Sequence, residues 1–145
     1  MSHEIRLETY APGLSGELED RLYAFNVERT GIDDGEMLAL VVRGADGRCT
    51  AAALGHTWGG TCEIKTLWVD AELRSAGLGR ALVLRAIDEA ERRGCTQLLL
   101  ATHSFQAPGF YAKLGFRELF RARDYPRGHE QVFLLRALRS KRREA

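Results

Sequence analysis

The chain has 145 residues, of which 45% are hydrophobic and 28% charged, with a formal net charge of +1. Those are ordinary globular values, with enough length for a single domain and a sizeable core. A near-neutral balance argues against a strongly basic nucleic-acid surface, no apolar run approaches a membrane span, and the polar N-terminus lacks a signal-peptide core.

Residues 4–10 alternate Ile5, Leu7 and Thr9 with charged side chains, which predicts a half-buried strand. Pro12-Gly13 breaks it, and Ser15 reads as the N-cap of a helix that carries Leu18, Leu22 and Phe25 at helical spacing and stops at Gly31. Apolar runs over 37–43 and 49–58, joined by Gly44-Ala-Asp-Gly47, predict a hairpin, and Gly59-Gly60 turns the chain into a third strand over 61–69.

A helix is predicted over 77–93, with Leu78, Leu82, Ala86 and Ala90 on one face, Asp88–Arg92 and Glu89–Arg93 pairs on the other, and Gly94 as its stop. Residues 97–101 contain a short continuous apolar run, as a strand covered on both faces would. Pro108 opens a short helix closed by Gly115, and 116–122 and 131–138 read as two final strands. The chain is taken as one domain, with a basic, solvated tail over about 139–145.

The stretch between the third strand and the long helix, Arg74-Ser75-Ala76-Gly77-Leu78-Gly79-Arg80, carries the most chemical information. Glycines at a strand-to-helix turn let backbone amides approach a phosphate, and the helix N-terminus adds positive dipole. No lysine follows Gly79, so a P-loop is disfavoured, and Leu82 stands where a dinucleotide fingerprint needs its third glycine. A plain structural turn is the alternative that spacing alone leaves open. Cys49, Cys62 and Cys95 are odd in number and lack Cys-x-x-Cys spacing, which reads as reduced thiols in a cytoplasmic protein. No His/Cys/Asp spacing suggests a metal.

Arg74-x-x-Gly77-x-Gly79 after Leu67-Trp68-Val69, together with Phe110-Tyr111-Ala112-Lys113-Leu114-Gly115-Phe116, resembles the GNAT superfamily of N-acetyltransferases. The resemblance implies an α/β fold: a mixed, twisted sheet with helices on both faces, in which the strands over 61–69 and 97–101 splay apart around acetyl-coenzyme A. It implies that backbone groups of Leu67, Trp68 and Val69 hold the pantetheine arm. The turn from Arg74 through Ser75, Ala76, Gly77, Leu78 and Gly79 to Arg80 would hold the pyrophosphate. Ser104 stands where many relatives carry an asparagine that contacts the cofactor arm.

The resemblance makes Tyr111 the acid that protonates the departing thiolate; a core aromatic is the alternative. Many relatives place a glutamate base at the position of Lys65. Glu63, on the same face under strict strand alternation, is the leading candidate here, against an exposed carboxylate paired with Lys65; His56 is the runner-up. His103 and His129 are weaker. Asp33, Asp34, Glu36 and Asp124 could attract a cationic amine, and Trp58 and Tyr125 could line its pocket.

The function expected is acetyl transfer to a primary amine, on a small cationic molecule. The open alternatives are a protein lysine or N-terminal acceptor, or a non-catalytic coenzyme A sensor. Neither nucleic acid nor membrane is an expected partner. Relatives often form homodimers, although no segment here marks an interface.

Overall fold

The computed structural model describes residues 3–141, which fall into two compact units divided between Asp33 and Asp34. The first contains helix α1 (Leu14–Thr30). The second contains β1 (Glu36–Arg43), β2 (Cys49–Trp58), β3 (Thr61–Val69), α2 (Leu78–Arg92), β4 (Gln97–His103), α3 (Pro108–Ala112), β5 (Arg117–Arg123) and β6 (Glu130–Ala137). Among the described residues, no helix is long and apolar enough to cross a membrane.

In the first unit two expectations fail. Residues 4–10 form no strand: Ile5 and Leu7 are almost fully exposed, so the alternation finds no neighbouring strand to pair with. The N-cap of α1 is Gly13, not Ser15, which lies within the first turn and points its hydroxyl at Glu19. Gly31 does end the helix, with its amide on the Val27 carbonyl. Leu18, Leu22 and Phe25 are about half exposed.

The second unit is one six-stranded sheet in the order β1-β2-β3-β4-β6-β5. The predicted hairpin and tight turn are present, so β1, β2 and β3 form an antiparallel meander. β3 and β4 are parallel because α2 carries the chain back across the sheet between them. β5 and β6 then close the far side antiparallel.

The buried face of α2 (Leu82, Val83, Ala86, Ile87 and Ala90) follows the predicted periodicity. Val83, Ala86, Ile87 and Ala90 cluster with Leu38, Cys62, Leu98 and Val132 from four strands and with Tyr111, Leu114 and Phe116 around α3, while Leu82 packs with Ala51 and Ala53 of β2. Each such large side chain contributes about 1.5–3 kcal/mol by leaving water.

Arg93, at the end of α2, stitches the helix to the sheet. Its guanidinium donates to the Met37 carbonyl and the Thr57 hydroxyl, both at 3.1 Å, and to Glu89 at 3.0 Å. The Glu89–Arg93 pair is therefore as expected, but Asp88–Arg92 is not. Arg92 turns to Glu89, and Asp88 is taken by Lys141. The described start of the basic tail is consequently held rather than free: Arg139 donates its amide to Glu91 at 2.6 Å, and the Lys141 amide reaches the Glu91 carbonyl. Arg142 and Arg143, the rest of that basic run, lie outside the described residues.

One residue breaks the β2–β3 ladder. Leu54 faces Thr66 while Gly55 faces Ile64, so Lys65 is an extra, unpaired residue and β3 bulges there. Gly55 makes this possible, because a Cβ on it would lie 1.9 Å from the Glu63 carbonyl oxygen. Replacing Gly55 with Ala should destabilise the fold by about 1–3 kcal/mol through that overlap. Urea denaturation reads this directly, and an unchanged midpoint would show that the bulge tolerates a side chain.

Burial pushes the Cys62 thiol up to about 12, and burial likewise raises Cys95, whereas Cys49 is exposed. A thiol reagent at neutral pH should thus label Cys49 alone in the native protein and all three cysteines after denaturation. Native labelling of Cys62 or Cys95 would contradict their placement in the core.

Candidate active site

The parallel pairing of β3 with β4 covers Thr61–Ile64 against Gln97–Leu100 and stops there. β3 continues to Val69 and β4 to His103, so the two strands part beyond the bulge. Between them opens a cleft of about 590 Å³. Its β3 side is Lys65–Val69, its β4 side is Ala101 and Thr102, and Gln106, Ala107, Phe110 and Tyr111 complete it from the α3 segment. The β3 backbone groups that would have continued the ladder toward β4 face this space, an edge that an extended amide-bearing ligand can pair with.

The α2 end is shaped for an anion. Gly77, the N-cap, takes φ +79°, a left-handed conformation that glycine adopts without strain, and no side chain caps the helix. The amides of Leu78, Gly79 and Arg80 precede the first intrahelical bond, Ala81 N–H to Gly77 carbonyl, so they point outward as free donors.

Arg74 lines the cleft with its Nε donating to the Val69 carbonyl at 2.9 Å and its guanidinium 5.0 Å from the centre of the Trp68 ring. That ring is itself anchored by a 2.8 Å bond from its Nε1 to Asp70. The strand end thus holds Arg74 beside the turn. Ser75, Ala76 and Arg80 are exposed on the turn, and Gly79 sits close to Phe110 and Val69.

Tyr111 is 8% exposed, wedged edge-on between Phe110 and Phe116 at centroid distances of 5.0 and 5.6 Å. Burial raises its pKa above the ordinary phenol value. The group is therefore a held proton donor on the wall of the cleft.

Other predicted residues lie elsewhere. Strict alternation would set Glu63 and Lys65 on one face, but β3 bulges at Lys65, and the Glu63–Lys65 pair, the alternative to Glu63 as base, does not form. Glu63 instead faces His56 across the β2–β3 ladder, with His56 Nε2 at 3.8 Å from its carboxylate, and neither lines the cleft. Ser104 is also outside it, its hydroxyl accepting from the Glu130 amide at 3.0 Å.

Asp34 receives the Gly59 amide and Glu36 pairs with Arg93, so both serve the opposite end of the β-strands. Trp58 is half-buried and away from the cleft lining. Tyr125 joins His103, Phe105 and His129 in an aromatic cluster beyond β4.

Sequence reasoning missed Thr102, Gln106 and Ala107. Gln106 folds back to accept from the His103 amide at 3.0 Å, and Ala107 takes φ +57°, a costly conformation for a residue with a Cβ. Only Pro108 hinted at a constrained turn there.

The chain belongs to the acetyltransferase (GNAT) family, whose model matches residues 3–116. It has the GNAT fold and is an acetyl-coenzyme A-dependent N-acetyltransferase. It is similar to blasticidin-S acetyltransferase of Streptomyces morookaense, 38% identical over 104 residues that cover 71% of this chain and 76% of the relative. Similarity also extends to the [ribosomal protein bS18]-alanine N-acetyltransferase of Salmonella typhimurium, 31% identical over 82% of this chain and 85% of that protein. Among solved structures, an acetyltransferase from Bacillus cereus superposes with a TM-score of 0.74 at 29% identity, covering 92% of this chain and 98% of its own.

If the uncapped start of α2 holds the pyrophosphate, Gly77→Asp is expected to abolish measurable acetyl-coenzyme A binding by calorimetry. The substitution puts a Cβ on a left-handed backbone and a negative charge against the pyrophosphate. Binding at the parent affinity would remove the α2 start from the site.

Proposed function

We propose that this protein transfers acetyl from acetyl-coenzyme A to the primary amine of a small cationic molecule, with Tyr111 as the general acid. The observation that carries the reading is the place of Tyr111, on the lining of the cleft and held between the Phe110 and Phe116 rings. Acetyl-coenzyme A supplies a thioester acyl group. The β3 edge around Leu67, whose backbone groups face the cleft, pairs with its pantetheine amides between Trp68 and Val69, and the Gly77–Arg80 amides with Arg74 hold its pyrophosphate. Ser104, already bonded to Glu130, leaves the arm to Gln106 and Thr102 on the same side of the cleft.

Glu63 takes the amine's proton through water, with His56 beside it to hold the carboxylate's orientation. A small acceptor is favoured by the relative named for blasticidin-S. A second reading, an acceptor at a protein N-terminus, has the bS18-alanine enzyme in its favour.

Thiol release measured across spermidine, aminoglycosides, amino acids and an alanine-starting peptide separates the two. Turnover with the small amines alone supports the proposal, and turnover confined to the peptide overturns it. If acetyl-coenzyme A raises the melting temperature while none of these amines turns over, both readings of the acceptor are overturned.

Tyr111→Phe should lower kcat by about 10²-fold or more while leaving acetyl-coenzyme A affinity intact. Because the tyrosine pKa is raised, the alkaline fall of the parent's kcat/KM that reports this acid should lie above the ordinary phenol value. An unchanged kcat in the variant would remove the acid role.

A further inference from the structure

Lys65 is a lysine in an unusual place. It is the extra residue of the β3 bulge, exposed, and on the lining of the cleft that also holds Tyr111 and the free edge of Thr66–Val69. No carboxylate pairs with it among the described residues: the nearby Glu63 is turned to His56, and Trp68 keeps Asp70. The chain is otherwise poor in lysine, carrying only Lys113 and Lys141 besides, against its many arginines. Of these, Lys141 is tied to Asp88, and neither lines the cleft.

A primary amine on a flexible four-carbon stem rooted in the cleft wall is within reach of an acyl donor bound there, and on the proposed function it is the acceptor chemistry this enzyme uses. We propose that Lys65 is a site of self-acetylation in cis, with acetyl-coenzyme A as the donor. The neutral Nζ forms the bond to the acetyl carbon and the carbon–sulfur bond breaks with its electron pair going to sulfur. The proton given up by nitrogen balances the one taken up by the thiolate. The products are Nε-acetyl-Lys65 and free coenzyme A, with no oxidant or further reactant required.

Acetylation removes the Lys65 charge and adds bulk to the cleft wall, leaving Arg74 as the one cationic side chain among the cleft-lining residues. The modification would thus weaken the cleft's hold on an anionic ligand and slow turnover, a brake applied when donor is present and acceptor is scarce.

The inference rests on the cleft being the acetyl-coenzyme A site, so the test measures binding and modification separately. The full chain is incubated with acetyl-coenzyme A without an amine, and acetylation at Lys65, Lys113 and Lys141 is followed by peptide mapping. Thermal shift with coenzyme A itself reports binding.

Lys65 should be acetylated at least about tenfold faster than either other lysine, at a first-order rate independent of protein concentration. Tyr111→Phe should slow it, and Lys65→Arg should abolish the added acetyl group while keeping the thermal shift. Stabilisation by coenzyme A without preferential acetylation of Lys65 overturns the proposal and leaves the cleft assignment standing. A rate that rises with protein concentration overturns the cis route. An absent thermal shift overturns the cleft assignment and this inference together.

Discussion

Everything in the site depends on where the β3–β4 ladder stops. Backbone N–H and C=O groups must find partners, and two parallel strands normally satisfy them along their shared length. Here the pairing ends at Ile64 and Leu100, and the bulge at Lys65 turns the rest of β3 away from its neighbour. An unpaired edge of this kind is one with which an amide-bearing ligand can restore the lost bonds. Gly55 is the quiet partner in this arrangement, since only a residue without Cβ lets the Glu63 carbonyl come so close.

The electrostatics follow from the same geometry. Most acidic side chains near the ends of the strands and of α2 are already committed: Glu36 and Glu89 to Arg93, Asp88 to Lys141, Glu118 to Arg121. The cleft keeps Lys65 and Arg74 with no carboxylate among its lining residues, and the uncapped start of α2 adds its dipole. That balance suits a polyanionic donor. Outside this lining, Glu63 and His56 face each other on the neighbouring stretch of the ladder. Tyr111 needs the opposite environment, a dry and aromatic one, and receives it from Phe110 and Phe116.

Much of the second unit could be read directly. The β2 and β3 limits, the Gly44–Gly47 turn and the buried stripe of α2 all come from local spacing, and local spacing is what hydrogen-bonded turns and amphipathic faces respond to. The N-terminal segment was misread because alternation states a preference for a strand but cannot supply the neighbour. The Asp88 pairing was misread for a related reason: Lys141 is remote in sequence and reaches the residue only in the fold.

By itself the sequence determined a strand, a glycine turn, a helix start, and an aromatic segment bearing Tyr111. Those features are short-range, so residue order specifies them. Only the tertiary structure decided which side chains share the cleft. Lys65, itself the extra residue of β3, lies on the lining while Glu63 does not, and the chain's return through Gln106 and Ala107 builds the opposite wall. Period-two alternation carries no record of a bulge, because a bulge arises from how two strands meet.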